Sequence, residues 1–472
     1  MGPSRRQAGM AALASASTGM RRAITLSIGL ALLGCTRSDE GEGRVVTRVE
    51  TPERSDCPTE PIAKDRAPDV RPEHEDPNFW LAKLGSEVAD QALLDADALA
   101  FLRERVAAVP GGWRDPLGET VSDPALNENE LRERLEWLRG RVAAGKYVEL
   151  EAGALERAAA RIEAATPVEA PNLHFVARET PLWCVPSSEG LFTTPIDRAF
   201  DRNRCASLHP GEYVRALRRT PDGEWTYVDA GHSVGWIQAQ HDALEPAQRE
   251  EDVRACLDAA RLYLTADHAD LRLGSSFPLV RRDEHEFTIL VPSPQGPIER
   301  TLAADAPVSE GAWALTRRRL FEQAFAQLEQ PYGWGGRDGH RDCSSYLLDL
   351  FALFDVRLAR NSAVQAQLGT RSVDLSQLDE AAKRAAIRSA AQTGVVLLHM
   401  PGHIMLYLGE DGGHDYGISA LSEFLVPCPG GVDTIYKLDK VAVTTLELGR
   451  GTERRAFIER IDRMAVFGPE PE

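Results

Sequence analysis

The stretch PYGWGGRDGHRDCSSYLLDLF, residues 331–351, decides how this chain is interpreted. It begins with aromatic residues and glycines, continues through charged residues and a histidine, and ends as an apolar helical repeat. Cys343 lies where the loop gives way to the helix, and the glycines before it would let a substrate approach the backbone. A cysteine in the first turn of a helix meets the positive end of the helix dipole, which lowers the pKa of the thiol. The stretch therefore predicts either a nucleophilic thiol or a small buried hydrophobe at a helix start.

A nucleophilic thiol needs a general base, and a candidate lies about sixty residues downstream. In TGVVLLHMPGHIMLYLG, residues 393–409, two strands are predicted on either side of MPG. His403 begins the second strand, from which its imidazole could face the start of a helix. On these residues alone, a buried structural Cys343 is the better interpretation. His399 and His403 are four residues apart on strands without an accompanying glutamate, so they do not indicate a metal site.

The order of these motifs resembles that of the NlpC-type cell-wall cysteine peptidases, which belong to the papain-like superfamily. The aromatic-glycine loop and the residues around the cysteine are followed by LARNSAVQ at 358–365 and by PGHIMLYLG at 401–409, as in that family. The positions that match are Tyr332, Trp334, Gly335, Gly336, Asp342, Cys343, Ser344, Arg360, Ser362, Gln365 and His403. Ser345 and Ala359 replace the family's usual glycine and proline, which bears on the loop geometry more than on the chemistry.

The resemblance implies a papain-like α+β catalytic domain in which Cys343 is the nucleophile and His403 is the base. The implied substrate is a peptidoglycan stem peptide or muropeptide, cut between D-γ-glutamate and a diamino acid. No cofactor, metal or protein partner is implied. The residues that the resemblance implies to hold the stem peptide are Tyr332, Trp334, Asp342 and Ser344. A non-catalytic wall-binding protein and a papain-like acyltransferase remain as alternatives.

The residue that orients His403 is left open by the sequence. The family usually has a polar residue about twelve positions later, which here is Asp415. The turn within GEDGGHDYGISAL, residues 409–421, is predicted to be longer than a two-residue hairpin loop. Because strand faces alternate with a period of two, an insertion of four residues would place Ser419 on the same face. His414 is the better chemical partner for an imidazole but has the wrong parity. Ser419 and His414 therefore rank equally, ahead of Asp415, and orientation by a backbone carbonyl or water stays open.

Three smaller parts are predicted before the catalytic domain, which is placed at residues 311–472. Residues 78–166 are rich in Ala, Leu, Glu and Arg, with apolar residues at helical spacing, and predict a small helical domain. Residues 167–245 alternate short strands with turn signals and resemble a bacterial SH3-like module, and residues 246–310 a divergent second copy. Aromatic residues that could form a ligand platform are interpreted instead as barrel core: Trp225, Tyr227 and Trp236.

The N-terminal segment indicates an envelope protein. From Met20 the sequence MRRAITLSIGLALLGC places two arginines before a short apolar run that ends at Cys35. This arrangement resembles a lipoprotein signal, which predicts a signal peptide over residues 1–35 and a lipid on Cys35. Residues 36–77 are charged and proline-rich, and predict a disordered tether that includes a solvated His74. The residue after the cysteine favours, by family analogy, the periplasmic face of the outer membrane.

Composition narrows the partners and the compartment. The chain of 472 residues has a formal charge of −18, which argues against nucleic acid because phosphate binding needs a basic surface. It has seven cysteines, of which lipidation would take one. Cys184 and Cys205 lie in one predicted β domain and could form a disulfide in an oxidising compartment. If Cys343 stays free as a nucleophile, at least one further thiol is unpaired.

Overall fold

A computed structural model describes residues 57–118, 121 and 123–469 of the chain. The predicted signal peptide, Cys35 and the tether up to residue 56 lie outside the described residues. Within the described part, no helix is both long enough and apolar enough to span a bilayer.

The helical region does not form a domain with its own core. Its helices are α1 Pro77–Leu84, α2 Ser86–Asp90, α3 Ala96–Ala108, α4 Pro124–Ala143 and α5 Ala154–Ala164. Trp80 of α1 and Leu102 of α3 are buried in the core of the predicted catalytic domain, residues 311–472, which we call the catalytic part. Leu138 of α4 and Leu155 of α5 pack instead against Leu191 in the first β part. The single helical domain predicted for residues 78–166 is thus divided between two neighbours, because each amphipathic face finds its apolar partner elsewhere.

The first β part is a small antiparallel sheet with a disulfide. Its sheet contains seven of the first ten strands of the chain. These ten strands are β1 Ile62–Ala63, β2 Val148–Glu149, β3 Thr166–Pro167, β4 Leu173–Phe175, β5 Thr180–Trp183, β6 Leu191–Phe192, β7 Arg204–Leu208, β8 Tyr213–Arg219, β9 Trp225–Asp229 and β10 Val234–Gln238. The sheet order is β3-β8-β9-β10-β5-β7, with β4 beside β8. Trp225, Tyr227 and Trp236 are buried, which confirms their prediction as core. Cys184 and Cys205 form a disulfide, in agreement with their location in one predicted β domain.

A second antiparallel sheet follows and has its own small core. This second β part begins with helix α6 Glu250–Asp258. Its sheet consists of strands β11 Arg261–Leu264, β12 Ser276–Arg282, β13 Glu286–Val291, β14 Ile298–Ala303 and β15 Val308–Glu310. The strand order is β14-β13-β12-β11-β15. Leu262, Phe277 and Ile289 are fully buried between the strands. Five short antiparallel strands agree with a small barrel, and the interpretation as a second SH3-like copy stays a prediction.

The catalytic part is a mixed sheet covered by helices. Its elements are α7 Arg317–Phe325, α8 Cys343–Ala352, α9 Ser362–Gln365, β16 Arg371–Asp374, α10 Glu380–Thr393, β17 Val395–Met400, β18 His403–Asp411, β19 His414–Val426, β20 Thr434–Thr445, α11 Phe457–Arg460 and β21 Arg463–Phe467. The sheet order is β1-β20-β19-β18-β17-β21-β16. Leu347, Leu350 and Phe351 give α8 a buried apolar stripe that packs on this sheet. The predicted α+β arrangement is therefore confirmed.

Residues 57–77, which we name the N-terminal strap, are ordered on the catalytic sheet and do not form a disordered tether. A disulfide joins Cys57 to Cys428, and β1 adds to the sheet in parallel with β20. His74, predicted to be in solvent, is fully buried, and its ring lies 4.3 Å from that of Tyr416 between centroids. Its Nε2 lies 3.2 Å from Asp411 Oδ2. Composition indicated disorder because few large apolar residues are present, but a covalent bond and backbone pairing hold the strap.

Candidate active site

The loop before α8 is shaped to meet the first β part. Gly335 and Gly336 have φ values of 62° and 78°, a left-handed conformation that favours glycine. A Cβ at Gly336 would collide with Ser207 of β7, and one at Gly335 with Arg204. The Ser207 hydroxyl and the Arg204 guanidinium donate to the carbonyl oxygens of this loop. The glycines therefore allow two parts of the protein to pack closely, a different role from the predicted approach of a substrate.

Asp342 fixes the start of α8. Its Oδ1 accepts the backbone N–H of Ser345 at 3.1 Å, and the Ser345 hydroxyl accepts the N–H of Asp342 at 2.9 Å. Its Oδ2 accepts the N–H of Gly335 at 3.0 Å and a bond from Arg360. Ser345, which departs from the family's glycine, thus completes a capping box. Burial would raise the pKa of Asp342, but the Arg360 guanidinium and the backbone donors hold it below its ordinary value.

His403 is held by a neighbour on the next strand. Its Nε2 lies 3.0 Å from the Ser419 hydroxyl oxygen, and both side chains are buried. Leu406 pairs with Ile418 in the β18–β19 hairpin, so His403 and Ser419 are diagonal neighbours on one face. The imidazole also packs against the ring of Phe457, 5.6 Å away between centroids. Of the candidates for the orienting residue, Ser419 is the one that contacts His403.

His414 and Asp415 are engaged elsewhere. Asp415 is fully buried, and its carboxylate accepts bonds from Arg388 at 2.9 Å and from the Tyr407 hydroxyl at 2.7 Å. The His414 side chain is 44% exposed, and its Nδ1 lies 3.3 Å from Glu447. The loop between the strands is only Gly412 and Gly413, both with positive φ, so the prediction of a longer turn is wrong. The additional residues lengthen the two strands instead, and the parity argument that selects Ser419 still applies.

The electrostatics of the thiol differ from the sequence expectation. Cys343 is 8% exposed, and burial, together with the Asp342 carboxylate, raises the pKa of its thiol to about 12. The backbone N–H groups of Ile404, the residue after His403, and of Ser344 lower the pKa of the thiol but do not offset this rise. Burial and the positive charge of Arg460 lower the pKa of His403 to about 3. Both groups are therefore neutral at neutral pH in the ligand-free protein.

The predicted substrate-binding residues fall into two sets. Trp334, Asp342 and Ser344 line the same cavity as Cys343. Tyr332 lies next to them with its ring 5.9 Å from that of Phe200 between centroids, and burial raises the pKa of its hydroxyl. The Ser344 hydroxyl accepts a bond of 2.6 Å from the Arg360 guanidinium. The Asp342 carboxylate accepts hydrogen bonds from four residues, which are Gly335, Ser344, Ser345 and Arg360. The contacts that Asp342 and Ser344 make in the structure hold the loop before α8, and their contact with a peptide stays a prediction.

The cavity at Cys343 has a volume of about 830 Å³ and is enclosed by three parts of the chain. The catalytic part contributes the α8 start, the residues around Arg360, and His399. The first β part contributes Arg202, Arg204 and the turn before β10, and α4 contributes Arg134 and Trp137. Sequence reasoning missed the wall that α4 contributes. The sequence contained one signal of this wall, because Trp137 lies off the apolar stripe of α4. In the structure, Trp137 is 51% exposed.

Comparisons with known proteins agree with this architecture. The model of the NlpC/P60 family matches residues 329–415, and the model of the SH3 domain (SH3b1 type) matches residues 191–238. No curated protein matches the sequence. An NlpC/P60 endopeptidase from Photobacterium damselae subsp. piscicida has a similar structure, with a TM-score of 0.69 over 87% of this chain and 100% of that chain, at 13% identity. An NlpC/P60 family protein from Bacillus cereus ATCC 10987 gives a TM-score of 0.41 over 63% of this chain and 100% of that chain, at 16% identity.

The family model covers the loop, the cysteine and the histidine strand that carried the resemblance in the sequence. The first of the two solved structures, at its low identity, shows that the fold extends beyond that segment. By domain content, the chain carries a segment that matches the NlpC/P60 family at residues 329–415 and, before it, one that matches the SH3 domain of the SH3b1 type at residues 191–238, and its fold is similar to that of an NlpC/P60 endopeptidase.

Proposed function

We propose that this protein is a cysteine endopeptidase that cuts the D-γ-glutamyl–diamino acid bond of peptidoglycan stem peptides in the cell envelope. One observation carries the proposal. The β18–β19 hairpin holds His403, whose Nε2 lies 3.0 Å from the Ser419 hydroxyl, on the strand whose next residue, Ile404, lowers the pKa of the Cys343 thiol through its backbone N–H. A thiol, a neutral imidazole and a residue that orients the imidazole are the components of a papain-like nucleophilic site.

In the proposed mechanism, the reaction starts from a neutral pair. Because burial keeps both the thiol and the imidazole uncharged, the proton of Cys343 moves to Nδ1 of His403 as the sulfur attacks the γ-glutamyl carbonyl carbon. The backbone N–H of Cys343 and a neighbouring donor stabilise the oxyanion. Collapse breaks the C–N bond, and His403 gives its proton to the leaving amine. Water, deprotonated by His403, then hydrolyses the thioester and restores the thiol.

Ser419 and Asp342 act on this reaction indirectly, as positioning residues. A Ser419 hydroxyl that accepts from Nε2–H leaves Nδ1 of His403 as the acceptor for the thiol proton. Asp342 caps α8 and, through Arg360, ties the helix start to the segment before α9. Both contacts are buried, which limits the motion of the two reacting side chains.

The walls around the cavity favour small substrates in this proposal. Because α4 and the first β part enclose the space in front of Cys343, a trimmed muropeptide enters more readily than a cross-linked wall.

We also propose a lipid on Cys35 and a location at the periplasmic face of the outer membrane. The disulfides Cys57–Cys428 and Cys184–Cys205 support an oxidising compartment.

Defined stem peptides test the proposal. The purified protein is incubated with such a peptide in the presence of an added amine, and the products are identified by mass spectrometry. Hydrolysis at the γ-glutamyl bond is expected, and Cys343→Ala is expected to abolish it without unfolding the protein. Cys256→Ala is the matched control, because Cys256 is the other free cysteine of the described residues and lies outside the cavity. Transfer to the amine would favour an acyltransferase, and binding without reaction would favour a non-catalytic wall-binding protein.

A further inference from the structure

The cavity at Cys343 is more basic than the protein as a whole. Five arginines line it, against two acidic residues, in a chain whose formal charge is −18. The acidic residues are both paired, Glu130 with Arg114 and Asp342 with Arg360. Among the residues that the structure describes, no carboxylate lies within 4.0 Å of the guanidinium groups of Arg134, Arg202 and Arg204. Three positive charges therefore face the cavity without a countercharge in ion-pair contact.

Arg202 is fixed in position by aromatic rings. Its guanidinium carbon lies 4.3 Å from the ring centroid of Trp334 and 5.6 Å from that of Phe200. Trp334 is itself held, because its indole N–H donates to the carbonyl of Asp201 at 2.9 Å. The Asp201 carboxylate accepts the backbone N–H groups of Leu191 and Asn203 and does not form an ion pair with Arg202. Arg202 thus presents a stacked guanidinium that forms no ion pair with a carboxylate of the described residues.

Arg134 reaches the cavity from α4. One of its terminal nitrogens donates to the carbonyl of Val234 at 2.8 Å, which orients the guanidinium and leaves its other N–H groups without an acceptor among the described residues. Arg204, in contrast, donates to Gly335 and Gly336 and so supports the catalytic loop. The candidates for ligand contact are therefore Arg134 and Arg202.

We infer that Arg134 and Arg202 form a carboxylate-binding wall, so that the enzyme selects anionic stem peptides with free carboxyl groups over the same peptides in amidated form. This inference rests on the proposed function and names the substrate class of that site. A guanidinium binds a carboxylate with two parallel hydrogen bonds, and such charge-assisted bonds are strong where water is excluded. A field of one sign inside a cavity also raises the local concentration of a ligand of the opposite sign.

Two peptides of one sequence test the inference, one with free carboxylates and one with carboxamides in their place. For the wild-type protein, kcat/KM is expected to be about ten- to a hundredfold higher for the free-carboxylate peptide, and the ratio to shrink as salt is raised. Arg202→Gln and Arg134→Gln are each expected to reduce this ratio, through a higher KM for the free-carboxylate peptide and no change for the amidated peptide. Arg202→Lys should restore part of the ratio. Arg132→Gln, an exposed position on the same helix that does not line the cavity, is the matched control.

Binding to the Cys343→Ala variant separates this inference from the proposed function. Calorimetric titration of that variant is expected to show the same preference for the free-carboxylate peptide. If the wild-type protein cleaves neither peptide while the variant prefers the free carboxylates, the carboxylate wall stands and the proposed activity fails. Equal binding of both peptides would overturn the carboxylate wall, as would a loss in Arg202→Gln and Arg134→Gln that is the same for both substrates.

Discussion

Replacing Ser419 with alanine isolates one hydrogen bond of the candidate site. The bond joins the Ser419 hydroxyl to Nε2 of His403 at 3.0 Å, and Ser419 is fully buried. The change removes a single oxygen atom from a strand in the middle of the sheet, between β18 and β20. The nucleophile, the base and the cavity walls keep all of their atoms. A change in rate therefore reports on the orientation and charge of the imidazole.

The magnitude follows from how the bond strengthens during the reaction. A hydrogen bond between neutral groups contributes about 0.5–1.5 kcal/mol net, and one to a charged group about 1.5–3 kcal/mol. His403 starts neutral, because burial lowers its pKa to about 3, and carries a positive charge after it accepts the thiol proton. The difference that acts on the barrier is thus about 0.5–2 kcal/mol, which corresponds to about a two- to thirtyfold loss of kcat.

The assay measures kcat and KM on a defined stem peptide, with circular dichroism and thermal unfolding of each variant. Ser422→Ala is the matched control, because Ser422 lies on the same strand and its hydroxyl bonds to Asp439 at 2.5 Å, away from His403. We expect Ser419→Ala to lose kcat with little change in KM, and Ser422→Ala to keep both. Unchanged kcat in Ser419→Ala would refute the orienting role. Equal losses in the two variants would show that the effect is structural.

Four further outcomes are expected. Activity should persist at about pH 5, because the pKa of His403 lies at about 3 rather than 6.5 and the base stays unprotonated; an acid limb near pH 6.5 would contradict this. Because burial lowers the pKa of His403 from 6.5 to about 3, its neutral imidazole also affects the free energy of unfolding. This contribution to stability is complete above pH 6.5 and is lost as the pH falls towards 3. The pair Cys57→Ser and Cys428→Ser should lower the free energy of unfolding by about 2–4 kcal/mol in urea titrations, and an unchanged value would mean that the strap adds no stability. Trp80→Ala should cost about 3–5 kcal/mol in the same titration, because the side chain is 1% exposed in the catalytic core; a cost near zero would place α1 outside that core.

The elements that carry the chemistry were predictable because their signals are local. The apolar stripe after Cys343 specifies a helix, and the alternation after His403 specifies a strand. The alternation of side chains along β19 placed Ser419 on the face that His403 occupies, although the loop length assumed in that argument was wrong. The register shift between Tyr407 and Gly409 depends on how two strands meet and leaves no mark in a single sequence.

Other features could not be read from the sequence because they depend on partners distant in the chain. The dipole argument for a low pKa at Cys343 considered only its own helix, whereas the packing of β18 against that helix buries the thiol. The helices of residues 78–166 showed apolar faces without showing which surface each face covers. Neither Arg202 nor Arg134 belongs to a motif, and only the folded chain brings both to the cavity.

The bond between Cys57 and Cys428 has a consequence for where the enzyme can work. If the lipid is on Cys35, the chain from the lipid to the disulfide has a contour length of at most about 80 Å, against about 150 Å for the chain from the lipid to residue 77. Thermal fraying of the strap cannot lengthen it while the disulfide is intact. The catalytic domain is then confined to a shell of fixed depth next to its membrane, and reduction of one covalent bond would enlarge that shell.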